Sequence, residues 1–122
     1  MIGIDIQDVT RIEEFAKTNK MQRMFSAREL SYINKKNNSL ETIAGMFCAK
    51  EAFFKATGSG INLSLLTAVE IDHRSTGAPY YALSPKVIAL YKLDTSQILL
   101  SISHTKNTAV AVCVILPNLL AN

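Results

Sequence analysis

The chain has 122 residues, 48% of them apolar and 19% charged, with a net charge of +3. That composition excludes a disordered chain, and its length suits one domain that buries roughly 65% of its extended-chain surface without metal or disulfide support. No stretch reaches the ~18 apolar residues of a membrane span, and the mild charge, 7% aromatic content and absent Trp argue against a nucleic-acid binder.

The first residues, Met1 to Asp8, place an acidic residue at position 5 where a secretory leader needs an unbroken apolar core, so a cytoplasmic location is expected. Ile2, Ile4 and Ile6 alternate with Gly3 and Asp5, predicting a short strand with Asp5 on the face opposite the isoleucines. Val9, Ile12, Phe15 and Ala16 repeat at helical spacing up to about Lys17. Ser26 followed by Glu29 reads as a capping box opening a second helix with Leu30 and Ile33. From Thr10 to Lys36, seven lysines and arginines stand against three glutamates, a basic face that is either a solvated surface or a steering surface for an acidic partner. Lys35 to Asn38 reads as a polar loop.

The longest helical pattern runs from about Leu40 to Thr57 and stops at Gly58. Its projection gathers Ile43, Phe47 and Phe54 into an apolar stripe flanked by Met46 and Phe53. Glu51 sits at the margin of that stripe, with Lys55 one turn further along the same face. Ala68–Asp72 and Pro79–Leu83 read as strands around the turn 74–78, and Ser84 with Pro85 opens a short helix through Tyr91. Ile98–Ser103 and Thr108–Leu116 form a last strand pair. The second of these is apolar on both faces, so it should be central in its sheet or covered by another element or subunit. Cys48 and Cys113 lie far apart in apolar surroundings, without the spacing of a zinc or redox motif. The expected fold is α+β: one domain, residues 1–122, with an antiparallel sheet packed against a long helix.

Three clusters carry possible chemistry. Asp5 and Glu51 could jointly hold a hard cation such as Mg2+, which takes a few carboxylates and completes its shell with waters and phosphate oxygens. Lys50, Lys55 and the turn containing Gly58 and Gly60 could gather phosphates. His104 could serve as an acid or base. Each also has a plain structural reading: a turn or cap aspartate, a helix-stabilising Glu–Lys pair, an ordinary helix exit, a hydrogen-bonded turn histidine. The residues alone leave both open.

Taken in order, GIDI at 3–6, AGMFCAKEAFFKATGSGI at 44–61, GAPYY at 77–81 and SISHTKNTAVA at 101–111 resemble the holo-acyl-carrier-protein synthase family of 4′-phosphopantetheinyl transferases. The resemblance runs from Ile2 to Val114. It implies transfer of the phosphopantetheine arm of coenzyme A to a serine of apo acyl carrier protein, with Mg2+ on Asp5 and Glu51 and with adenosine 3′,5′-bisphosphate released, a step of fatty acid biosynthesis. It implies Lys55 near the pyrophosphate, Gly77, Pro79, Ser103, His104 and Thr105 lining the coenzyme A site, Arg11 docking the carrier protein, and a homotrimer that would cover the strand at 108–116. One position departs from the family's pattern: where the family has arginine in the AGRF segment, this chain has Met46. That departure keeps alive an alternative, a binding module for coenzyme A and carrier protein with little or no turnover. Lys50, four residues on, is the cation expected to compensate.

Overall fold

The computed structural model describes residues 1–117; the last five positions of the domain drawn from sequence lie outside the described residues. Three strands, β1 (Ile2–Asp8), β4 (Ile98–His104) and β5 (Thr108–Ile115), form an antiparallel sheet in the order β1-β5-β4. A separate antiparallel pair joins β2 (Val69–His73) and β3 (Pro79–Leu83). The long helix α4 (Leu40–Thr57) packs across the three-stranded sheet, with α1 (Val9–Ala16) beside it. The remaining helices are α2 (Met21–Met24), α3 (Ala27–Lys35) and α5 (Pro85–Tyr91), and a 3₁₀ turn covers Leu63–Ala68.

Local chemistry accounts for most boundaries. Ser26 caps α3: its hydroxyl accepts from the Glu29 amide at 3.2 Å, while the Glu29 carboxylate accepts from the Ser26 amide at 3.0 Å. Ser39 caps α4, Ser84 caps α5 ahead of Pro85, and α4 ends at Gly58 with a left-handed φ of 77°. The short α2 and the 3₁₀ turn carry no periodic pattern long enough to predict, and both follow from packing against each other.

Helix α4 differs from the expected amphipathic stripe. Eleven of its residues are buried, from Ile43 to Ala56, because strands flank it on one side and α1 and β2 on others. Phe47, expected in the stripe, is only half-buried. It shares a narrow uncovered strip with Glu51 and Lys55, spaced at successive turns.

Strand β1 shows which of its two faces turns inward. Gly3 and Asp5 face α4, whereas Ile2, Ile4 and Ile6 are 70%, 58% and 67% exposed. Gly3 makes this possible, since a Cβ there would overlap the Ala52 carbonyl oxygen of α4. The close approach seats Asp5, two residues on, against the helix. Strand β5 is central, as expected; Ala109, Ala111, Cys113 and Ile115 are buried on the helix side, and Val110, Val112 and Val114 half-buried on the other.

Candidate active site

Asp5 and the C-terminal half of α4 meet where β1 passes closest to the helix. Lys55 Nζ donates to Asp5 Oδ1 at 3.1 Å and to the Ile4 carbonyl at 3.0 Å; Gln7 Nε2 donates to Asp5 Oδ2 at 3.1 Å. The Asp5 side chain is 7% exposed, the Lys55 side chain 51%. Glu51 lies one helical turn before Lys55. Partial burial, and next the negative charge of Asp5, push its carboxyl above the ordinary value, while Lys55 pulls it down. Lys55 is bonded to Asp5, and Glu51 adds a second carboxylate nearby, so the three charges sum to about −1.

That donor set fits Mg2+. Among the described residues no group of three or more His, Cys, Asp or Glu side chains gathers, which argues against an all-protein cage. Magnesium needs only one or two carboxylates when phosphate oxygens and waters complete its octahedron. Asp5 and Glu51 would hold it, and Gln7 would fix the Asp5 carboxylate. Gln7 was not singled out in the sequence; its position two residues from Asp5, on the same strand face, is the signal that identifies it.

Lys50 does not join this cluster. Its side chain is 0% exposed and runs into the interior, where Nζ donates to Glu29 Oε1 at 2.7 Å, the Leu66 carbonyl at 2.6 Å and the Val69 carbonyl at 2.8 Å. All three ammonium donors are used, so Lys50 neither contacts phosphate nor stands in for a missing arginine at position 46. Burial pushes the Lys50 ammonium below its usual range and the Glu29 carboxyl above its own, against their mutual attraction.

Gly77, Pro79 and His104 line a cavity of about 180 Å3 together with Gly45, Met46 and Ile102. Tyr32, Glu41, Thr42 and His73 complete its wall. Tyr32 and His73 stack with ring centroids 3.9 Å apart and 6° between planes, and His73 Nδ1 is buried without a hydrogen-bond partner. Desolvation pushes the His73 imidazolium below its usual range, with Asp72 opposing. Among the described residues no lysine or arginine lines this cavity. Tyr32 and His73 are far apart in sequence and only the packing of α3 on β2 joins them.

Other expected site residues are placed elsewhere. Ser103 lies on the outer sheet face beside Leu99 and Ser101, and the Thr105 hydroxyl accepts from the Asn107 and Thr108 amides within its turn. Gly58 and Gly60 shape the exit of α4 with φ of 77° and 69°. Arg11 is exposed on α1. Arg28 is engaged by Asp72 at 3.5 Å and Glu70 at 3.8 Å, which takes up much of the charge expected to steer a partner. Lys20 and Arg23 rim a groove of about 730 Å3 floored by Phe15, Met24, Leu63 and Leu66.

A family model for the 4′-phosphopantetheinyl transferase superfamily matches residues 1–113. The chain belongs to that superfamily, in its holo-acyl-carrier-protein synthase branch. The holo-[acyl-carrier-protein] synthase of Fusobacterium nucleatum is 40% identical over 118 residues, covering 94% of this chain and 97% of the relative. That of Alkaliphilus oremlandii is 43% identical over 113 residues, covering 90% and 93%. Among solved structures, the Helicobacter pylori holo-[acyl-carrier-protein] synthase in complex with coenzyme A superposes with a TM-score of 0.82 at 34% identity, covering 95% of this chain and all of that one (100%). The Neisseria meningitidis enzyme gives 0.82 at 28% identity, covering 95% and 97%. The phosphopantetheinyl transferase fold is therefore the α+β arrangement expected from sequence, with its long helix on an antiparallel sheet. Among the described residues no helix is long and apolar enough to cross a membrane.

Proposed function

We propose that the chain transfers the 4′-phosphopantetheine group of coenzyme A to a serine hydroxyl of an apo acyl carrier protein, as a Mg2+-dependent step serving fatty acid biosynthesis. The observation that carries this reading is the convergence of buried Asp5, half-buried Glu51 and half-exposed Lys55 where β1 touches α4. The serine oxygen bonds to the phosphorus bearing the pantetheine arm, and the bond from that phosphorus to the bridging oxygen breaks. Adenosine 3′,5′-bisphosphate leaves with that oxygen. Glu51, half-buried one helical turn before Lys55, receives the serine proton. Lys55, half-exposed and on a flexible stem, neutralises charge building on the leaving phosphate. Mg2+, when bound by Asp5 and Glu51, supplies Lewis-acid charge neutralisation at the pyrophosphate.

The nucleotide end belongs in the cavity of Tyr32, His73, Gly77, Pro79 and His104. At 3.6 residues per turn, the α4 residues of that cavity lie roughly 130° around the helix from Glu51 and Lys55. One ligand reaching both needs a second copy to bring the cavity of one chain to the carboxylates of another. The exposed face of Ile2, Ile4, Ile6 and Leu99, continuous with the half-buried valines of β5, is the surface for that contact, and a homotrimer is the assembly this reading expects. An acidic carrier protein would meet Arg11 and the basic rim of the groove at Lys20 and Arg23. Cys48 and Cys113 are free and buried, in keeping with the reducing cytoplasm.

Incubation with apo carrier protein, coenzyme A and Mg2+ tests the reading by mass spectrometry. A gain of one phosphopantetheine on the carrier supports it. Met46, buried in the cavity wall where the family has arginine, favours the alternative of a binding module; tight binding of both substrates without modification would establish that instead.

A further inference from the structure

Immediately before Glu51, α4 is gripped from the side away from the site. Lys50 spends its three donors on Glu29, Leu66 and Val69, so one side chain joins α3, the 3₁₀ turn and β2 to the helix. Glu29 is equally committed: Oε1 also accepts from the Ser26 amide at 3.0 Å, and Oε2 accepts from the Ile71 amide at 3.0 Å. The Phe25 ring lies 5.4 Å from the ammonium. One residue earlier, the Tyr81 hydroxyl of β3 donates to the Ala49 carbonyl at 2.6 Å. Both β2 and β3 therefore hold α4 at residues 49 and 50, although neither strand contributes a group to the Asp5 cluster.

We propose that the Lys50–Glu29 pair and Tyr81 are positioning residues that fix the rotation of α4 about its axis, and with it the direction in which Glu51 and Lys55 point; the proposal rests on the transferase reading above. The physical reason is leverage. A side-chain tip about 6 Å from the helix axis moves about 2 Å when the helix turns by roughly 20°. Packing of Phe53 and Phe54 opposes such a turn, but the small-residue face of Ala52 and Ala56 against Gly3 offers little relief to interlock. Directional bonds from two strands resist it strongly, and a misplacement of about 1 Å in a reacting group can cost a hundredfold in rate.

The test uses the full chain and measures transfer to apo carrier protein alongside thermal unfolding. Glu29→Gln/Lys50→Met removes both buried charges together, so no charge is left unpaired, while the single amide oxygen at position 29 keeps one of the Ser26 and Ile71 donors and gives up the other. Tyr81→Phe removes the bond to Ala49 together with the hydroxyl's contact with the Cys113 thiol. With both variants folded at the assay temperature, the expected result is a kcat lowered about tenfold or more in the first and severalfold in the second. The KM for carrier protein should stay within about twofold, because neither Arg11 nor the rim at Lys20 and Arg23 is touched; the KM for coenzyme A is expected to move with kcat, since its cavity is built on the same α3, β2, β3 and α4. A purely structural role would lower Tm and leave kcat of the folded protein unchanged. Wild-type kcat in either folded variant overturns the proposal while the transferase reading stands. Should the double variant not fold, Tyr81→Phe alone decides. A wild-type chain that transfers nothing overturns the transferase reading and this inference with it.

Discussion

Lys50 and Lys55 leave the same helix five residues apart, and each ends on a carboxylate from a distant part of the chain. Their surroundings make them opposites. The Lys50–Glu29 pair is enclosed, and every donor of the ammonium is spent on a fixed acceptor. The Lys55–Asp5 pair is open on one side, and Glu51 beside it adds negative charge that the single ammonium does not balance. A saturated buried pair holds structure in place, because any ligand would have to break several bonds to reach it. An unsaturated pair open on one side retains attraction for something else, in the proposed reading a cation and phosphates.

Stability measurements should separate the two lysines most sharply. Lys50→Met leaves the Glu29 charge buried without its partner and should cost about 3–5 kcal/mol in denaturant unfolding. Lys55→Met removes a half-exposed partner and leaves Asp5 still bonded by Gln7, so it should cost clearly less. Equal losses would mean that the contrast in burial has no energetic counterpart.

Activity should reverse that ranking. Asp5→Asn and Glu51→Gln should each lower transfer by about a hundred- to a thousandfold with an unchanged circular-dichroism spectrum. Near-normal turnover in either variant at limiting Mg2+ would remove it from the reacting centre. Gly3→Ala probes how the site is assembled, since a Cβ there pushes β1 away from the Ala52 carbonyl. A loss of roughly 3 kcal/mol is expected, with turnover falling further than stability explains. Arg11→Glu should raise the KM for carrier protein about tenfold, more so at low salt, and leave that for coenzyme A unchanged. Equal effects on both substrates would place Arg11 in the scaffold.

The smallest effect concerns the thiols behind the site. Burial, followed by the Asp5 charge, pushes Cys48 from 9.0 to about 12, and burial pushes Cys113 from 9.0 to about 11. Between pH 9 and those values the unfolded chain has lost thiol protons that the native chain keeps. Stability contributed by both groups is therefore complete below pH 9 and declines as pH rises toward 11 and 12. At pH 8 neither thiol should react with a disulfide reagent until denaturant is added; rapid native labelling would contradict their burial.

Much of this was written locally. Ser26 with Glu29 announced a helix start, Gly58 an end, and Ser84 with Pro85 another start, because capping uses neighbours in sequence. Glu51 and Lys55 were recognisable as partners by their four-residue spacing, and Asp5 through the order of motifs around it. Lys50 was misplaced because a lysine beside a catalytic-looking glutamate carries no local mark of the interior acceptors that wait for it. The stacked Tyr32 and His73 went unnoticed for a related reason: no periodicity links α3 to the end of β2.

The amino-acid order by itself determined the strands and every α-helix except α2, the alternation of β1 and the family's motif series, since these depend on propensity, capping and spacing within a few residues. Only the tertiary structure decided which face of β1 turns inward, which lysine is buried, and which aromatic rings share a cavity. Those outcomes depend on what lies across the gap from each side chain: an alternating strand has two apolar-compatible faces, and Gly3 selects the inner one by letting α4 come close.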